Sequence, residues 1–206
     1  MNIAATLDYA VLKPTATGAD IITGAKICND YKVASYCVQP NYVARASTFC
    51  DVPICAVIGF PLGSNRTTVK VLEAKLAIED GATELDMVMN IGAFLSGATS
   101  FVRYDVASVV KAAEGNIVKV ILETCYLTPL EIARACKICE AAGASFVKTS
   151  TGFGPGVANH GDVAIMLDSC KLKIKASGGI KTWTDAVGFL SQGCSRLGVS
   201  TIRGIL

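Results

Sequence analysis

Residues 128–152 read TPLEIARACKICEAAGASFVKTSTG, and this stretch holds one complete unit of an alternating α/β chain. Thr128 with Pro129 and Glu131 is a helix start: threonine caps, proline suits the first turn, and the glutamate can reach back to the cap. Apolar residues then recur at helical spacing as far as Ala141. Ala142-Gly143-Ala144 stops the helix, because glycine enters the left-handed conformation without a Cβ penalty. A short apolar run over 145–149 follows and reads as a strand carrying Lys148 near its end.

The same handover recurs at Asp80-Gly81-Ala82 and Gln192-Gly193-Cys194, each just before another strand-like run. Working outward, strands are predicted over 5–9, 35–38, 54–59, 84–89, 118–123, 145–149, 173–176 and 196–200. Helical spacing fills 21–31, 42–49, 67–79, 101–113, 129–141, 163–170 and 184–190, with Thr182 or Thr184 opening the last. Strict alternation predicts parallel strands with right-handed crossovers, and eight of them close a (β/α)8 TIM barrel. The expectation is therefore an α/β fold with a single domain over 1–206, with an open doubly wound sheet as the alternative. Only 201–206 follow the last strand, too short for a full eighth helix. Either a neighbouring subunit covers that flank or the barrel tolerates a gap.

Composition narrows the function. Half the residues are apolar (51%) and 17% are charged, which supplies a core. The net charge is +2 and no basic run interleaves with aromatics, so no nucleic-acid partner is expected and the ligand should be a small molecule. No stretch of about eighteen apolar residues is free of charge, and a basic-then-apolar leader is missing from the start, so a cytoplasmic protein without membrane contact is predicted. The nine cysteines fall mostly in apolar runs and read as free thiols in a reducing compartment. Cys136 and Cys139 have metal or redox spacing, but they lie mid-helix, and His160 is the only histidine. Packing accounts for them better, and no metal or cofactor is expected.

Barrels gather function at the C-terminal ends of their strands. Those ends read as Asp8, Cys37, Gly59-Phe60-Pro61, Asp86, Asn90, Glu123, Lys148, Lys175 and Ser200. Two lysines that share a pocket disfavour each other's charge, burial adds to the effect, and either can then attack a carbonyl to form a Schiff base. In Glu84–Asn90 a period of two puts Glu84, Asp86, Val88 and Asn90 on one face, making Asp86 the natural counter-charge. A purely structural ion pair is the competing reading. Ser177-Gly178-Gly179-Ile180 and Gly198-Val199-Ser200-Thr201 supply small residues after strands seven and eight, where barrels often bind phosphate, and Lys181 stands nearby.

Taken together, Leu12-Lys13-Pro14, Cys37–Pro40, Val57–Gly63, Glu84–Gly92, Lys119–Thr124, Val147–Phe153 and Lys175–Ile180 make the chain resemble the deoxyribose-phosphate aldolases, class I Schiff-base enzymes, nearly end to end. That resemblance implies reversible cleavage of 2-deoxy-D-ribose 5-phosphate to D-glyceraldehyde 3-phosphate and acetaldehyde, in deoxyribose phosphate catabolism, without a cofactor. It implies Lys148 as the Schiff-base lysine, Lys175 as the lysine that perturbs it and moves protons, and Asp86 as the proton-relaying acid. It further implies a substrate site at Asp8, Cys37, Thr151, Gly152, Gly178, Gly179, Gly198, Ser200 and Thr201, with Lys181 as the phosphate cation, and a homo-oligomer. Asp8-Tyr9-Ala10 departs from the Asp-His-Thr of many members, Phe153 replaces a lysine found in some, and a tail ending in tyrosine is missing. A related aldolase acting on fructose 6-phosphate and a non-catalytic sugar-phosphate-binding barrel are the remaining alternatives.

Overall fold

The computed structural model describes residues 2–206 and shows eight parallel strands closed into a barrel in the order β1 to β8. The strands are β1 Leu7–Val11, β2 Ser35–Val38, β3 Ile54–Ile58, β4 Glu84–Val88, β5 Ile117–Ile121, β6 Phe146–Lys148, β7 Lys173–Ser177 and β8 Arg196–Val199. Around them run α1 Gly18–Tyr31, α2 Val43–Phe49, α3 Thr67–Glu79, α4 Ile91–Leu95, α5 Thr99–Ala112, α6 Pro129–Ala141, α7 His160–Ser169 and α8 Trp183–Gln192. The predicted barrel is thus present, and the open sheet is not. The starts expected from the sequence also form: Thr128 and Thr182 each close a capping box, with Glu131 and Asp185. Gly81, Gly143 and Gly193 take φ of 108°, 83° and 120° at the helix-to-strand handovers.

Two placements differ from the sequence expectation, and the end of the chain agrees with it. Residues Ala4–Thr6 form a single 3-10 turn closed by Thr6, which bonds to Ile3 through both its amide and its hydroxyl, so β1 starts two residues later than predicted. A short helix, α4, capped by Asn90 onto the Ala93 amide, precedes α5. No helix follows β8 among the described residues. Instead Ile202 and Ile205 fold inward, and the Trp183 amide donates to the Gly204 carbonyl, so the last turn lies against the start of α8.

Alternation sorts the strand side chains onto two sides. Leu7, Tyr36, Val38, Leu85, Met87, Val120, Val147, Ile174 and Leu197 point outward and join the helices in one continuous core. Inward, Cys37, Cys55 and Val57 form a separate apolar cluster, extended by Ala10, Leu12 and Phe60. On β4 to β8 the charged side chains Asp86, Lys119, Lys148, Lys175 and Arg196 share the interior with Val88, Ile121 and Phe146. In the helix layer, Lys70 of α3 is fully buried, donating to Asp105 of α5 at 2.6 Å and to the Val88 carbonyl at 3.0 Å, while Thr67 donates to the other Asp105 oxygen at 2.7 Å.

Removing one partner of such a pair strands the other charge in the core. Asp105→Ala is therefore expected to lower unfolding free energy by about 3–5 kcal/mol. Lys70→Met combined with Asp105→Leu should recover most of that loss in urea titrations. A double variant no more stable than Asp105→Ala would contradict this account.

Candidate active site

Five strands converge on one buried carboxylate. Asp86, third residue of β4, accepts from Lys148 at 2.7 Å and Lys175 at 2.8 Å on Oδ2, and from Lys119 at 3.0 Å on Oδ1. The register explains the meeting: Asp86 lies opposite Lys119 on β5, and Lys148 on β6 lies opposite Lys175 on β7. Cys55 of β3 adds its thiol to Asp86 Oδ1 at 3.1 Å. Asp8 receives Lys175 on Oδ2 and Arg196 of β8 on Oδ1 at 2.6 Å, and Arg196 goes on to Glu84 at 3.2 Å. Lys119 also pairs with Glu84 at 2.5 Å. The network so defined holds three carboxylates, Asp8, Glu84 and Asp86, against four cations, Lys119, Lys148, Lys175 and Arg196.

Burial and charge oppose each other here. Burial alone would push the Asp86 carboxyl up, but Lys119, Lys148 and Lys175 hold it well below the usual carboxylate range. Asp8 is likewise depressed: Lys175, Lys119 and Arg196 outweigh its desolvation. Burial pulls the Lys175 ammonium down, yet Asp8 and Asp86 raise it above its ordinary value. The two carboxylates thus favour the charged form of Lys175. Lys148 differs in having a single carboxylate contact.

A cavity of about 690 Å³ opens above the network, and both Lys148 and Lys175 line it. Lys148 is the last residue of β6, as expected for a strand-end lysine, but Lys175 sits at the middle of β7. Asp8 is near the start of β1 and not at its C-terminal end, because the preceding 3-10 turn shifts the strand. It still lines the cavity, along with Cys37, Thr151, Gly152, Gly178, Gly179, Lys181, Gly198 and Ser200. Asp86 lies beneath, behind the lysines. Thr201 does not line the cavity; its hydroxyl accepts from the Arg203 amide at 3.3 Å, closing the turn after β8.

The glycines have distinct reasons. Gly178 and Gly179 turn at φ of 89° and 79°, and a Cβ on Gly179 would come 3.0 Å from the Val157 side chain. A Cβ on Gly198 would press on Ser177 at 2.7 Å and on the Lys175 Cε at 3.3 Å, so the missing side chain there leaves room for the lysine stem. Glu123, itself in a left-handed conformation after β5, accepts from the Thr151 amide at 3.1 Å and from the Thr151 hydroxyl. Thr151 Oγ1 in turn accepts from the Phe153 amide at 3.0 Å, so Glu123 fixes the loop after β6.

Sequence reasoning missed Lys119 and Arg196. A signal for Lys119 was present: a lone charge in the middle of Ile117–Ile121 falls on the inward side of a strand. Arg196 looked like an ordinary strand start. Cys37, Cys55 and Asp86 lie close enough together to share a metal ion, while both Asp86 oxygens already face ammonium groups.

Comparison with known proteins shows the family. The family model for DeoC/LacD family aldolases matches residues 3–205. A deoxyribose-phosphate aldolase of Bacillus mycoides is 46% identical over all of this chain and 95% of its own length. One from a Thermoanaerobacter species is 46% identical over 97% of this chain and 93% of its own. Among solved structures, the aldolase QR15 superposes with a TM-score of 0.96 at 39% identity, covering 98% of this chain and 93% of its own. The deoxyribose phosphate aldolase of Aeropyrum pernix, described as having a unique tetrameric structure, gives 0.92 at 33% identity over 98% of this chain and 88% of its own. The chain belongs to the DeoC/LacD aldolase family.

Proposed function

We propose that this protein is a deoxyribose-phosphate aldolase that cleaves 2-deoxy-D-ribose 5-phosphate through a Schiff base on Lys148. The observation that carries the reading is the pair of cavity-lining ammonium groups sharing one oxygen of buried Asp86, at 2.7 and 2.8 Å. An attacking lysine must be neutral, and the network holds one cation more than it holds carboxylates. Taking the proton from Lys148 leaves three cations facing three carboxylates, so the reactive form is also the electroneutral one.

Neutral Lys148 attacks C1 of the open-chain sugar and, after loss of water, forms an iminium that accepts the electrons of the C2–C3 bond. The C3 hydroxyl proton leaves to the Asp86–Lys175 pair, directly or through a water, and glyceraldehyde 3-phosphate departs. Lys175 then protonates the enamine at C2, and hydrolysis frees acetaldehyde. The apolar wall of Ala10, Leu12 and Cys37 suits a two-carbon donor. Gly152, Gly178, Gly179, Gly198 and Ser200, with Lys181, form the phosphate end, where small residues leave backbone N–H groups unshielded. Asp8 acts through Lys175.

The reading includes a cytoplasmic location and a homo-oligomer. Nine free cysteines suit a reducing compartment, and among the described residues no helix is long and apolar enough to cross a membrane. Val69, Leu72 and Leu76, exposed on the outer side of α3, support association with another copy.

In a cleavage assay with deoxyribose 5-phosphate, Lys148→Arg keeps the charge but cannot form the imine, and should reduce turnover to background. Asp86→Asn should lower kcat by about 10²–10⁴-fold, the usual range for acid–base groups. Turnover retained by Lys148→Arg would refute the assignment. Stability follows the charges: a depressed carboxylate stabilises above its unfolded value and loses that contribution as pH falls through its folded one. Asp8→Asn is therefore expected to destabilise at pH ~7, with a deficit that shrinks as pH drops below the ordinary 3.8 of an aspartate. Urea titrations at neutral and acid pH read this directly; a pH-independent deficit would contradict it.

A further inference from the structure

Cys37 and Cys55 are opposed partners on adjacent strands, and both point into the barrel. Their sulfurs lie within 4.8 Å of each other and of an Asp86 oxygen. Opposed residues on neighbouring strands have Cα atoms about 4.8 Å apart, inside the 4.4–6.8 Å span that a disulfide bridges. The two thiols differ in access. Cys37 forms part of the cavity wall and Cys55 does not. Cys55 sits one step deeper, donating to Asp86 at 3.1 Å and lying 3.5 Å from the Lys119 ammonium. Facing the cavity, with Cys55 committed to Asp86, Cys37 is the thiol that meets an entering oxidant first.

We propose that Cys37 and Cys55 form a peroxide-sensitive dithiol beside the catalytic lysines, and that oxidation closes a reversible disulfide that switches the site off. The switching rests on the Schiff-base reading above; the disulfide itself does not. The Cys37 thiolate attacks one oxygen of hydrogen peroxide, the O–O bond breaks, and a sulfenic acid and water result once the leaving hydroxide is protonated. The Cys55 sulfur then attacks the sulfenic sulfur, its proton leaves with the departing hydroxide as a second water, and the S–S bond forms. Two thiols are oxidised and one peroxide is reduced. Asp86 thereby loses its thiol donor, and the apolar wall facing Lys148 changes shape.

Reduced wild-type enzyme treated with hydrogen peroxide should lose two hydrogens in mass and yield a peptide linking Cys37 to Cys55. Turnover should fall in proportion to the linked fraction, and dithiothreitol should restore both. In Cys55→Ala, and in Cys55→Ser as a second check, Cys37 has no resolving partner, so peroxide should drive it to the sulfinic acid with a loss that dithiothreitol cannot reverse. Cys28 with Cys50 and Cys136 with Cys170, side by side in the helix layer, serve as internal comparisons in the same peptide map. Oxidation of those pairs without a Cys37–Cys55 link overturns the proposal. So does a link that leaves turnover unchanged. Because the link is read by mass, its failure is distinct from any failure of the Lys148 assignment.

Discussion

The structure turns on a carboxylate buried inside a barrel with three ammonium groups around it. A barrel interior is normally filled with branched apolar side chains, and an isolated ion there is expensive to desolvate. Here β4, β5, β6, β7, β8 and β1 each bring a charge to the same level, so every ion has a partner and the burial of Asp86 becomes tolerable. That arrangement leaves one positive charge in excess. In the proposed mechanism that excess is relieved at Lys148, which has one carboxylate contact against two for Lys175.

The interior is also divided laterally. Strands β2 and β3 contribute Cys37, Cys55 and Val57, and β1 contributes Ala10 two residues beyond Asp8, while the other ions come from β4 to β8. A substrate entering the cavity therefore meets an apolar wall on one side, ammonium groups below it, and glycine turns after β6, β7 and β8 on the other. The same division puts the Cys55 thiol 3.1 Å from Asp86.

Much of this was legible in sequence because the signals are local. The capping boxes at Thr128 and Thr182 and the left-handed glycines at 81, 143 and 193 need only neighbouring residues, and they fixed the alternation that closes the barrel. Lys148 and Asp86 stood out as charges within apolar runs. Asp8 was misplaced along its strand because the turn at Ala4–Thr6 is made by a Thr6 hydroxyl contact with no periodic signature. Lys175 was read as a strand end for want of any local mark separating the middle of β7 from its tip. The parts contributed by Lys119 and Arg196 depend on which strands lie opposite one another, information carried by register across 33 and 188 residues of chain. The charged state of Lys175 is likewise set by Asp8 and Asp86, both distant in sequence.

The central claim is that the excess charge is relieved at Lys148, making it the amine that bonds the substrate. Borohydride reduction in the presence of acetaldehyde, followed by peptide mass mapping, tests it most directly. A reduced two-carbon adduct on the peptide containing Lys148, with Lys175 unmodified, is the expected result. An adduct on Lys175, or none on either lysine in active enzyme, would contradict the account.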